Sequence, residues 1–91
     1  MTSSGKQPCF VYALSSTTRS YIYVGLSFDA DRRIDEHQGG SERTTRAYRP
    51  FTVLLIEQYP DRASARSREK YLKSGAGKEF LKQLRSLEAE A

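Results

Sequence analysis

Phe10-Val11-Tyr12-Ala13-Leu14, the link Ser15-Ser16-Thr17-Thr18-Arg19-Ser20, and Tyr21-Ile22-Tyr23-Val24-Gly25 are followed at once by Asp29-Ala30-Asp31-Arg32-Arg33-Ile34-Asp35-Glu36-His37. Two short segments rich in aromatic and β-branched residues around a polar link read as a hairpin. The third segment, with Asp29 as its cap and Gly39-Gly40 as its stop, reads as a short helix. Side chains alternate faces along a strand, so Phe10, Tyr12 and Leu14 share one face, as do Tyr21, Tyr23 and Gly25 on the next strand. Tyr12 and Tyr23 can then meet across the pair. Arg33 and His37, four residues apart, lie one above the other on the helix, with the apolar stripe left to Ala30 and Ile34. Two phenols, a guanidinium and an imidazole can converge.

Further along, Ser41 to Arg49 is polar and basic and reads as a loop or a single helical turn. Phe51-Thr52-Val53-Leu54-Leu55-Ile56-Glu57-Gln58-Tyr59, bounded by Pro50 and Pro60, is the strongest strand signal and is expected at the centre of the sheet. Asp61 can cap a helix running to about Ser74, with Gly75-Ala76-Gly77 as its break. Ala65 and Leu72 mark the inward stripe of that helix, and Glu69 falls on it: a carboxylate on a buried stripe needs a reason, whether an ion pair with Arg66 or Lys73 or a function. Phe80, Leu81, Leu84 and Leu87 define a last amphipathic helix whose other face carries Lys78, Lys82 and Arg85. Residues 1–8 read as a loose polar arm and residues 9–88 as one domain.

Ninety-one residues make one small core, to which six tyrosines and four phenylalanines contribute much of the volume. One cysteine and one histidine exclude an internal disulfide and a Cys/His zinc site within one chain, so any metal must be held through oxygen. No apolar run approaches the roughly 20 residues that cross a bilayer, and the polar N-terminus lacks a signal-peptide core. A cytoplasmic protein with no membrane partner is expected. The net charge is +4, and it is concentrated: Arg62 to Arg85 holds eight basic residues against two acidic ones. Arg43, Arg46 and Arg49 form a second, unopposed group. Such clustering points to a polyanionic partner.

The chain resembles the GIY-YIG nucleases, and in particular their small single-domain members. Phe10-Val11-Tyr12 stands where the first tripeptide of that family belongs and Tyr23-Val24-Gly25 where the second belongs. Arg33 and His37 match the arginine and the histidine four residues beyond it, and Glu69, within Arg68-Glu69-Lys70, matches the metal-binding glutamate. Many members also carry an asparagine near the end of the domain, and this chain has none.

The resemblance implies an α/β (α+β) fold, a three-stranded antiparallel β-sheet flanked by helices. It also implies a metal-dependent endonuclease. Glu69 would hold Mg2+ or Mn2+, Tyr12 or Tyr23 would activate or orient water, and Arg33 would stabilise the transition state. His37 is a third candidate proton acceptor. A free tyrosine, with a pKa of about 10, is a poor base at neutral pH, so a cation such as Arg33 would have to lower it. Arg43, Arg46, Arg49, Lys70 and Lys73 are the candidate nucleic-acid contacts, with DNA placed ahead of RNA and DNA repair among the family's roles. A second copy of the chain or a targeting protein would supply substrate choice. Two readings compete with this one: a non-catalytic nucleic-acid-binding module on the same basic surface, and a protein-interaction domain using the last helix.

Overall fold

The computed structural model describes residues 7–90, so residues 1–6 of the expected arm lie outside the described part. The elements follow in the order β1 (Cys9–Ser16), β2 (Ile22–Ser27), α1 (Ala30–Gly39), β3 (Phe51–Tyr59), α2 (Arg62–Leu72) and α3 (Gly75–Glu90). The three strands form an antiparallel sheet in the order β2-β1-β3.

The central strand is β1, not β3 as its apolar run suggested. Seven of the eight residues of β1 are buried, because small side chains (Cys9, Ala13, Ser15, Ser16) let elements close over both faces. Strand β3 lies at an edge and leaves Val53 and Ile56 in solvent. Successive residues of β1 serve opposite faces. Cys9, Val11 and Ala13 pack with Ala65 and Leu72 of α2 and Leu81 of α3, while Tyr12 and Leu14 pack with Ala30 and Ile34 of α1 and with Phe51. The sheet is thus covered by α1 on one side and by the α2–α3 pair on the other.

The helix caps are those the sequence marks. Asp29 accepts from the Arg32 amide, Asp61 accepts from the Ser64 amide, and Gly40 closes α1 in the left-handed conformation at φ 83°. The Gly75-Ala76-Gly77 break is not a break, since α3 starts at Gly75. Gly77 is there for proximity: a Cβ on it would sit 2.1 Å from the Tyr71 carbonyl oxygen and 2.4 Å from the Leu72 Cα. Leu87, expected on the inward stripe, is 64% exposed because α3 has run beyond the sheet by then.

Residues 41–50 return the chain from α1 to β3 through a short 3₁₀ turn, Arg46–Tyr48. Gln38 fastens the entry to β3 with a pair of bonds, its amide nitrogen donating to the Phe51 carbonyl at 2.7 Å and its oxygen accepting from the Phe51 amide at 2.8 Å. The Tyr48 ring stacks on Tyr21 with centroids 3.8 Å apart, so this segment lies against the start of β2.

Candidate active site

Strand register builds the site. Tyr12 pairs with Gly25 and Leu14 with Tyr23, which sets the two phenols diagonally on the α1 face with ring centroids 6.2 Å apart. Gly25 is the condition for this approach: a Cβ there would lie 2.7 Å from the Tyr12 hydroxyl and 2.9 Å from a ring carbon of Tyr23.

His37 completes the cluster. Ala30, Ile34 and His37 form the buried stripe of α1, with the imidazole fully enclosed. Its ring lies 4.6 Å from that of Tyr23, its Nε2 is 3.3 Å from the Tyr12 hydroxyl, and its Nδ1 is 2.7 Å from Thr45 Oγ1. Thr45 is itself completely buried. Burial, and next the Arg33 charge, push the His37 pKa below 6.5, so the ring is neutral at neutral pH. In the tautomer whose Nδ1–H donates to Thr45, Nε2 accepts from the Tyr12 hydroxyl; in the other, Thr45 donates to Nδ1 and Nε2–H donates to Tyr12.

Arg33 does not make Tyr12 a good base. The hydroxyl is pushed up to about 12, first by burial and then by Tyr23, and these outweigh the lowering by Arg33. Part of the reason lies in the company Arg33 keeps: its guanidinium pairs with the Glu36 and Glu42 carboxylates, the latter at 3.0 Å. Glu42 also raises the Tyr12 pKa directly, as the least of these causes.

Glu69 is only 5% exposed, on the inward stripe of α2, and so on the opposite side of the sheet from α1. Its carboxylate accepts from Arg66 Nη1 at 2.7 Å and from Lys73 Nζ at 3.1 Å. The two sides approach each other around the free edge of β2. There, a cavity of about 410 Å³ is lined by Tyr23 on one flank and by Lys73, the partner of Glu69, on the other.

Among the described residues no group of three His, Cys, Asp or Glu side chains could hold an ion. The donor chemistry is instead that of a single hard carboxylate, which suits magnesium completed by water and phosphate oxygens, once the exposed Arg66 and Lys73 side chains turn aside.

Of the expected nucleic-acid contacts, Arg43, Arg46 and Lys70 are exposed and have no ion-pair partner among the described residues. Arg49 is committed locally, donating to the Gly39 carbonyl at 2.9 Å. Thr45 was not visible in the sequence. Nothing in a polar, aperiodic loop marks one threonine as buried against a histidine.

Residues 8–82 match the family described as the GIY-YIG catalytic domain. Similar proteins include a UPF0213 protein of Xanthomonas campestris pv. campestris, 41% identical over 74% of this chain and 66% of its own length. A UPF0213 protein of Haloquadratum walsbyi is 33% identical over 71% of this chain and 73% of its own. The chain thus spans just under two thirds of the Xanthomonas relative. No solved structure matches it.

Proposed function

From a chain that belongs to the GIY-YIG family, whose membership implies nuclease activity, we propose a metal-dependent endonuclease that hydrolyses phosphodiester bonds, DNA ahead of RNA. The observation that carries this reading is the buried relay Tyr12, His37, Thr45 beside Tyr23. Tyr23, half-buried at the cavity wall, positions the attacking water. Tyr12 is only 1% exposed, so water reaches its oxygen as substrate binding opens the site; the water oxygen then bonds to phosphorus as its proton passes to the Tyr12 oxygen, while the Tyr12 proton moves to His37 Nε2. The phenol therefore never accumulates as phenolate, which answers its high pKa. A neutral imidazole is the group able to accept. Thr45, holding Nδ1, is a positioning residue. The phosphorus–oxygen bond to the leaving group breaks in the same displacement, that oxygen takes a proton from solvent, and His37 returns its proton through Tyr12 to solvent, restoring the neutral imidazole.

Arg33 hydrogen-bonds charge building on the phosphoryl oxygens, partly released from Glu36 and Glu42 as that charge grows. Glu69 would hold the divalent ion, which as a Lewis acid supplies stabilisation of the leaving oxygen. Arg43, Arg46 and Lys70 hold the backbone.

The test is a panel of single-stranded, duplex and branched DNA and RNA, with magnesium, manganese or chelator, on the parent and on Glu69→Gln. Cleavage that needs metal and is lost in the folded variant supports the reading. Cleavage at the parent rate by Glu69→Gln removes Glu69 from the site. If the parent cuts nothing in any metal, the chain is a binding module on the same basic surface.

A further inference from the structure

Strand β2 is an edge strand, and the space beside it is neither filled nor neutral. The cavity of about 410 Å³ has a floor of the half-buried Tyr21, Ile22 and Tyr23, backed by the buried Val24, Leu72 and Leu81, and falls within the usual size range of small-ligand sites. Its rim carries Lys73, Lys78, Lys82 and Arg85, and no carboxylate lines it. Lys73 is engaged by Glu69 and Lys82 more loosely by exposed Glu79, at 3.4 Å. Lys78 and Arg85 have no ion-pair partner among the described residues. A third feature is the free edge itself: the outward backbone N–H and C=O groups of β2 have no strand to pair with.

We propose that this cavity is a nucleotide subsite. It takes one unpaired nucleotide adjoining the reacting phosphate, with the base on the apolar floor against the β2 edge and the flanking phosphates on Lys78, Lys82 and Arg85. This rests on the nuclease reading for its position and deepens it by naming the substrate as a strand with an unpaired base. The arrangement pairs a largely apolar slot with a cationic rim, which is what an amphiphilic nucleotide demands and a duplex, its bases stacked inside, cannot use. Because Tyr23 also lines the cavity, a base seated there brings its own phosphate to the site. Paired bases would have to unpair and unstack first.

The experiment is fluorescence anisotropy in chelator, so that no cleavage is needed. It uses labelled oligothymidylate, a duplex of the same length, and a strand of equal length with abasic sites in place of the bases. The parent should bind oligothymidylate at least tenfold more tightly than either of the others. In Lys78→Ala/Lys82→Ala/Arg85→Ala, with its fold verified by circular dichroism, that affinity should fall at least tenfold. The slope of log affinity against log salt should fall by about 2, from three lost contacts at about 0.7 each. An Arg32→Ala control should match the parent. Equal binding of thymidylate and abasic strands by the parent overturns the base slot, and this arm stands even if the triple variant fails to fold. An unchanged salt slope in the folded variant overturns the phosphate rim. Both effects present in a protein that cuts nothing would uphold the subsite and sink the nuclease reading instead.

Discussion

Removing one oxygen atom at position 12 separates a structural role from a chemical one, because the structure gives each role its own size. Tyr12→Phe keeps the ring among Leu14, Ala30 and Ile34 and deletes the hydroxyl that faces His37 Nε2 at 3.3 Å. The imidazole is fully buried, so its Nε2 loses its partner where water does not replace it. An orphaned buried acceptor costs about 1–3 kcal/mol. For a domain of this size each kcal/mol is worth roughly 4–8 °C, so the melting temperature should drop by roughly 5–20 °C. Tyr23→Phe, with no hydrogen bond to its hydroxyl among the described residues, should melt near the parent. Activity should fall by far more in Tyr12→Phe than its loss of stability accounts for. Cut off from its base, the attacking water should react on the order of 10²-fold more slowly or worse in Tyr12→Phe, measured by single-turnover cleavage well below the variant's melting temperature. An unchanged melting temperature would refute the buried hydrogen bond. A parental single-turnover rate, with the parent established as a nuclease, would refute the relay.

Gly25→Ala should cost about 1–3 kcal/mol, since its Cβ would meet both the hydroxyl and the ring of Tyr12; urea unfolding measures it, and a loss under 0.5 kcal/mol would mean the approach is loose. His37, with its folded pKa held below the unfolded 6.5, binds its proton more readily when unfolded. Its contribution to stability is therefore complete above pH 6.5 and lost as pH falls from there toward the folded pKa, and His37→Gln should flatten that part of the urea-unfolding profile between pH 7.5 and 5.5. An identical acid slope in the variant would place the titration elsewhere. Arg43→Ala/Arg46→Ala should weaken duplex binding and cut its salt slope by about 2 without changing sequence preference, read by anisotropy; an unchanged slope would mean these side chains face away from the substrate.

The parts of this molecule that follow from local rules were legible in the chain. The caps at Asp29, Asp61 and Gly40, the two-residue alternation that puts Tyr12 and Tyr23 on one face, and the carboxylate on the inward stripe at Glu69 need only near neighbours to predict. What failed needed knowledge of distant ones. A run such as Phe51 to Ile56 has the same composition at an edge as at a centre, whereas β1 earns its central place through small residues that admit cover on both sides. His37 reads as an outward partner of Arg33 until Thr45 and Tyr12, from a loop and a strand, close around it. The pairing of Arg33 with Glu42 was hidden for a similar reason: Glu42 lies nine residues beyond it in the chain, and nothing in their spacing announces the pair.

Gly77 has a mechanical consequence. With the α3 backbone seated directly on Tyr71 and Leu72, the corner between α2 and α3 has no slack to bend. The backbone positions that carry Glu69 on one arm and Lys78, Lys82 and Arg85 on the other are thereby fixed relative to one another, while the exposed side chains still turn. Whatever widening the cavity needs to admit a base must come from the opposite wall, where β2 is held by neighbours on one side only.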